Sequence, residues 1–223
     1  MAKPVEDSLL REIDEDLRRE RYALLWKRYG WVIISLVVAL VVGVAGYEGW
    51  RGYQQRISIR SGEQFAAAVT LSEVDPATAA DALRELAEGG PDGYQILARL
   101  RQAALYLEQN DPAAAAPVYD ALASRTGDPL YSELAVILKV MAEMQKELTP
   151  ANAAELAERL SPLTAPDRPW HYTAREISAH LALRSGETER ARELLTGLSA
   201  DGQAPEGIRA RAQSMLAEIV GRA

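Results

Sequence analysis

Alanine and leucine recur with one period after Trp50, and this pattern constrains the fold more than any other feature. Four alanines are separated by 36, 38 and 38 residues, and a leucine stands seven positions after each of them. Positions three, four or seven apart share one face of an α-helix, so each block is predicted to contain one helix with the same buried face. The alanines are Ala79, Ala115, Ala153 and Ala191, and the leucines are Leu86, Leu122, Leu160 and Leu198.

Helix start signals stand at the same place in each block. Asp75-Pro76, Asp111-Pro112 and Thr149-Pro150 each combine an N-cap residue with a proline suited to the first helical position. The fourth block begins with the turn Ser185-Gly186-Glu187 instead. A second helical stretch precedes each of these helices, so the sequence predicts helical hairpins. The preceding stretches are residues 55–73, 94–109, 130–147 and 170–185, and Pro205 to Val220 reads as one closing helix. Twelve residues before the four recurring alanines, here called the marker alanines, the sequence has Ala67, Ala103, Met141 and Ala179, and the two helices of each hairpin are predicted to cross there.

The predicted fold class is therefore all-α. The predicted architecture is a single N-terminal transmembrane helix, a solenoid of about four helical hairpins, and a C-terminal capping helix. Stacked repeats of this kind need a terminal element that covers the last apolar face.

A long apolar segment precedes the repeats. Trp31 to Tyr47 is a run of 17 residues without a charge, flanked by aromatic residues on both sides. That length reaches the lower limit for crossing a bilayer, and aromatic belts are typical of the two membrane interfaces. A soluble core helix would need more polar residues than Ser35 alone. Cleavage as a signal peptide near Gly43-Val44-Ala45 is the alternative.

Basic residues predict the orientation of this span. Six lysines and arginines lie in residues 11–30, against three in the stretch that follows Trp50. The positive-inside rule then places the N-terminus in the cytoplasm and the remainder on the other side of the membrane. For a bacterial inner membrane, that side is the periplasm. The predicted domains are a cytoplasmic amphipathic helical segment at 1–30, a transmembrane helix at 31–50 and a periplasmic repeat domain at 51–223.

Small residues recur on one face of the span. Ser35, Ala39 and Gly43 are four residues apart, which permits close approach of another membrane helix. Small residues are also common in membrane helices without such a partner. The segment at residues 5–28 carries its own apolar stripe, which suggests docking to a membrane surface or to a cytoplasmic partner.

No pattern in the chain indicates catalysis. There is no cysteine, and the net charge is −7 without a basic stripe, which argues against nucleic-acid binding. His171 and His180 are nine residues apart, unlike a helical metal pair. We therefore expect no enzyme activity, no cofactor, no metal and no small-molecule substrate.

The repeats resemble the tetratricopeptide repeat. The similarity lies in Ala103, Tyr106, Asn110-Asp111, Ala115 and Tyr119 of the second unit, and the fourth unit follows with Ala179, Ala182, Gly186 and Ala191. In that family the first helix of each pair lines a concave groove. The resemblance implies a partner groove formed by Leu97, Leu100, Ala104, Leu107, Leu138 and His180. The alternative is that these leucines pack against a neighbouring helix within the array.

The whole layout resembles the YfgM-type family, whose members are ancillary subunits of the bacterial SecYEG translocon. The residues that carry this resemblance are the stretches 13–19, 25–30 and 46–51. It implies a periplasmic repeat domain with protein partners, namely SecYEG and a membrane-anchored periplasmic chaperone. Two other hypotheses stay open. One is an envelope organiser for cell-wall or respiratory-complex assembly, and the other is a secreted soluble binding protein if the span is cleaved.

Overall fold

The structure, a computed structural model, describes residues 4–221, with side chains from Trp26 onward. Every regular element in that range is helical, so the predicted all-α class is confirmed. The helices are α1 (Pro4–Leu71), α2 (Pro76–Gly89), α3 (Asp92–Glu108), α4 (Pro112–Arg125), α5 (Pro129–Glu143), α6 (Pro150–Leu160), α7 (His171–Ser185), α8 (Thr188–Ala200) and α9 (Glu206–Gly221). A short 3₁₀-helix, Ser161–Thr164, follows α6.

The chain divides into two compact units, Met1–Ser58 and Ile59–Ala223. The first contains most of α1, and the second contains the end of α1 and all later helices. The predicted domain boundaries after residues 30 and 50 stay predictions. The side chains that form most of the apolar stripe of residues 5–28 lie outside the described residues.

Within the first unit, the apolar side chains of α1 are exposed. Trp31 is 80% exposed, Leu36 70% and Leu40 67%. A core helix of a soluble protein would bury such residues, whereas the most apolar window of α1 is only 6% buried. By length and composition this helix can span a membrane, and its exposure argues against the core-helix alternative.

The second unit contains four consecutive hairpins and a closing helix, as predicted. The end of α1 pairs with α2, α3 with α4, α5 with α6 and α7 with α8, while α9 packs on α8. Each hairpin also packs on the next one, so the buried core runs through the whole unit. The third hairpin departs from this regularity, because α5 and α6 approach each other closely at only a few residues and α6 packs mainly on α7.

The caps follow the sequence signals. The side chains of Asp75, Asp111 and Thr149 accept hydrogen bonds from backbone N–H groups in the first turns of α2, α4 and α6. At the fourth block Gly186 adopts φ +85°, a left-handed conformation that glycine tolerates best. Glu187 then precedes α8 without a side-chain cap.

The recurring alanines are fully buried where helices pack against each other. Ala79, Ala115, Ala153 and Ala191 are all 0% exposed, and the four leucines seven positions later are at most 5% exposed. A methyl side chain at these positions lets two helices approach closely. The repeat inferred from the sequence is therefore a repeat of buried contacts.

The phase predicted for the first helices needs correction in two hairpins. Counting back from the marker alanines placed Ala67 and Met141 at the helix crossings, but both are exposed. The buried residues are Ala68 and Ala142, at 3% and 0% exposure. In the first and third hairpins the crossing residue is one position closer to its marker than in the second and fourth. A shift of one residue along an α-helix turns the side-chain direction by about 100° around the helix axis, so the buried face of these two helices differs from the predicted one.

Candidate functional site

A pocket of about 570 Å³ opens between α5, α7 and α9. These are the first helices of the third and fourth hairpins and the closing helix, which takes the place of a first helix after α8. Its volume falls within the range of about 300–1,000 Å³ that is typical of ligand pockets. The lining residues are Met141, Met144, Thr173, Glu176, Ile177, His180, Arg211, Ser214 and Met215.

Methionine is concentrated in this pocket. The chain contains four methionines, and the three that follow Met1 all line it. Met141 is 47% exposed although its side chain is apolar. Methionine is flexible and polarisable, so a methionine-lined surface can adapt to apolar side chains of different shapes.

A charged pair crosses the pocket from α7 to α9. Arg211 Nε lies 2.5 Å from Glu176 Oε1, and Arg211 Nη2 lies 2.8 Å from Glu176 Oε2. This bidentate geometry is the strongest form of a carboxylate–guanidinium contact. The hydrogen bonds that Arg211 donates to the Glu176 carboxylate are the main factor that raises the pKa of Arg211. Because the Glu176 side chain is 15% exposed and that of Arg211 is 60% exposed, the guanidinium faces solvent beside the methionines.

His180 lies in this pocket, whereas the other predicted groove residues lie elsewhere. Leu100, Leu107 and Leu138 are partly buried around a cluster between α3, α4 and α5. Leu97 is 46% exposed on α3, and Ala104 is half-buried. The internal packing of three leucines agrees with the alternative considered for them. The groove itself stays a prediction.

Ser35, Ala39 and Gly43 lie on one exposed face of α1. A side chain added at Gly43 would meet no atom within 4 Å in the described structure. This face is therefore open within its own unit, and contact with a second membrane helix stays a prediction.

The sequence reasoning missed Arg211 and the three methionines. From the sequence, Met141 is predicted at a helix crossing and Met215 in the closing helix, so neither pattern identifies a pocket residue. The available signal was the rarity of methionine together with its placement on first helices. The spatial convergence of α5, α7 and α9 was needed to give that signal a meaning.

Metal chemistry has no geometric support in the described residues. Among them, no group of three or more histidine, cysteine, aspartate or glutamate side chains is placed to hold a metal ion.

A family model of the tetratricopeptide repeat-like domain matches residues 24–193, more than half of the chain. The chain belongs to this family. Tetratricopeptide repeat-like domains generally act as non-catalytic scaffolds for protein–protein interaction. The matched range begins within α1 and ends within α8. No curated protein and no solved structure matches the chain.

Proposed function

We propose that this tetratricopeptide repeat-like protein is a membrane-anchored scaffold that binds an apolar peptide segment of a partner protein. The observation that carries the proposal is the convergence of Met141, Met144 and Met215 on one open pocket beside a solvent-facing arginine. An apolar surface rimmed by a charged pair suits an amphipathic segment, whose apolar face meets the methionines and whose polar edge meets Glu176 and Arg211.

The proposed location is the bacterial inner membrane, with one span, a cytoplasmic N-terminus and a periplasmic repeat domain. Two observations support it. The apolar window of α1 is long enough to cross a bilayer and is unburied. Basic residues are more numerous before the span than after it.

The proposed partners are SecYEG and a membrane-anchored periplasmic chaperone, which the protein would connect as an accessory translocon subunit. This finer assignment rests on the resemblance to YfgM-type proteins. An envelope organiser for cell-wall or respiratory-complex assembly uses the same architecture with other partners. A secreted binding protein follows if the span is cleaved.

Affinity capture of the full chain from detergent-solubilised membranes tests the partner assignment. We expect SecY to be recovered with the wild-type chain. The decisive variant is Met141→Glu, which places a charge in the apolar pocket. Leu130→Glu is the matched control, because Leu130 lies on α5 like Met141, has a similar exposure, 41% against 47%, and belongs neither to the pocket nor to the predicted groove.

Loss of SecY with Met141→Glu and its retention with Leu130→Glu would support both the partner and the pocket. Recovery of cell-wall or respiratory components without SecY would reject the translocon assignment. Equal loss in both variants would reject the pocket as the binding surface.

Two further assays test the location. Carbonate extraction should leave the protein in the membrane fraction, whereas a cleaved form would be released. A periplasmic reporter enzyme fused after Ala223 should be active, and an inactive fusion would reverse the proposed orientation.

A further inference from the structure

A second pocket, of about 390 Å³, lies between α2, α3 and α4 and combines arginines with an apolar wall. Ala87, Ala114, Val118 and Ala121 form part of the wall. Arg84, Arg99 and Arg125 also line the pocket, together with Glu88 as an acidic neighbour, Gln102, Tyr106 and Pro117. Three cations against one anion make this pocket locally basic in a chain whose net charge is −7.

Arg99 is the unusual member of this set. Only 5% of the residue is exposed, and its Nη1 donates to the backbone oxygen of Gln95 at 3.2 Å and to Gln95 Oε1 at 3.4 Å. No acidic side chain in the described part of the chain forms an ion pair with it. Burying a charge without a direct ion-pair partner is costly, and the hydrogen-bond acceptors of Arg99 within the chain are neutral.

The neighbouring positive charge of Arg125 increases the cost of burying the Arg99 charge. Burial is the main factor that lowers the pKa of Arg99, the positive charge of Arg125 lowers it further, and Glu88 acts in the opposite direction. Arg84 is already paired with Asp81 at 2.5 Å. Arg125 has no ion-pair partner in the described range. An anion between Arg99 and Arg125 would offset the repulsion between the two guanidinium groups and supply the missing negative charge.

The other repeats show that the fold does not require arginine at this position. Counted from the buried crossing alanines, the equivalents of Arg99 are Gln64, Leu138 and Arg175. Arg175 lines a similar pocket in the fourth hairpin, but it is less deeply buried than Arg99, and its Nε donates to the backbone oxygen of Thr164, outside its own helix, at 2.8 Å. Glutamine and leucine occupy this position in the first and third hairpins, where Gln64 is exposed and Leu138 is half-buried. Arg99 therefore combines a charge with a degree of burial that none of its equivalents has, which indicates a ligand rather than a packing need.

We propose that the pocket between α2, α3 and α4 binds an organic carboxylate that carries a small apolar body. Arg99 and Arg125 hold the carboxylate, and Val118 and Ala121 contact the apolar part. The carboxylate comes either from an acidic side chain next to an apolar residue in a peptide or from a free carboxylic acid. The site does not depend on the proposed function, because it shares no lining residue with the methionine pocket.

The test uses the full chain in detergent with ¹³C-labelled valine methyl groups. The Val118 methyl signals report on the pocket and are assigned by their loss in Val118→Ala. The ligands are 3-methylbutanoate, its neutral amide, inorganic phosphate and the peptide acetyl-Val-Glu-Val-amide. We expect saturable shifts of Val118 with the carboxylate and the peptide, and none with the amide.

The arginine variants decide whether the site is the one described. Arg99→Gln, which copies the residue of the first hairpin, should weaken carboxylate binding about tenfold or more, since a hydrogen-bonded charge pair is lost. Arg125→Gln is a second variant at an exposed position and should also weaken binding. Arg175→Gln is the matched control and should leave the Val118 titration unchanged.

Tighter binding of the peptide identifies a protein ligand, and tighter binding of the free acid identifies a metabolite. The proposal is overturned if the amide binds as well as the carboxylate, or if Arg99→Gln leaves the titration unchanged. Phosphate that binds as tightly as the carboxylate would also overturn it, because the apolar wall would then contribute nothing.

Discussion

Equivalent helix faces have different surroundings in the second and fourth hairpins. Counted from Ala103 and Ala179, Leu100 on α3 corresponds to Glu176 on α7, and Ala104 corresponds to His180. Leu100 packs against the cluster between α3, α4 and α5, whereas Glu176 and His180 line the open methionine pocket. A shared fold therefore does not give this face the same surroundings in every hairpin, and the open methionine pocket lies toward the C-terminal half of the array.

The largest expected effect tests what the two hairpins share. Leu105 and Leu181 are equivalent residues with 1% and 0% exposure. Truncating either leucine to alanine should lower the free energy of unfolding by about 2–5 kcal/mol, because a buried side chain is lost and a cavity remains. Urea denaturation of the full chain, followed by circular dichroism, measures this. A cost near zero in one hairpin would show that the two cores are not equivalent.

A smaller effect separates packing from binding. Leu100→Ala should cost about 1–2 kcal/mol of stability, because Leu100 is only partly buried, and should leave partner capture intact. Glu176→Gln should reduce partner capture, because it weakens the pair that positions Arg211 beside the methionines. Denaturation and affinity capture are compared on the same preparations. The assignment of roles fails if Leu100→Ala is the variant that abolishes capture.

The caps of the two hairpins should also differ. The Asp111 side chain accepts from the Ala114 N–H at 2.9 Å, so Asp111→Ala should cost about 1 kcal/mol. Glu187 bonds to Arg190 and Ser185 instead of capping α8 through its side chain. Its replacement by alanine should therefore be milder in the same denaturation assay. A larger loss at Glu187 than at Asp111 would contradict the observed cap geometry.

The smallest effect is a pH dependence that arises from Glu187 in the fourth hairpin. The hydrogen bond from Arg190, followed by that from Ser185, lowers the pKa of Glu187. The folded state thus favours the ionised carboxylate, whose stabilising effect is complete above the unfolded pKa and is lost as the pH falls through the lower folded pKa. Glu187→Gln should flatten the stability profile below about pH 5. An unchanged profile would exclude this contribution.

Local signals in the sequence predicted much of the fold. The caps at Asp75 and Asp111 and the buried Ala115 and Leu122 depend on residues close together in the chain. The helix phase in the third hairpin was not predictable in this way, because a one-residue difference between Met141 and Ala142 depends on the length of the turn. Exposure of the apolar span could be anticipated from its length and its lack of charge.

The candidate site was only partly predictable. His180 follows from the repeat phase, and the pocket contains it. Met141, Arg211 and Met215 come from helices separated by many residues, and only the stacking of α5, α7 and α9 brings them together. The sequence alone does not decide between the two interpretations of the leucines on α3, because an apolar residue forms the same pattern whether it contacts a partner or a neighbouring helix.

Site-specific photocrosslinking at two adjacent residues of α9 tests the central claim most directly. Ser214 lines the methionine pocket, and both Ser214 and its neighbour Gln213 are exposed. With a photoreactive residue at each position in turn, we expect the chain in its native membrane to crosslink SecY or the chaperone from position 214, with little product from position 213. Equal yields at the two positions, or a partner crosslinked only from position 213, would contradict binding through this pocket.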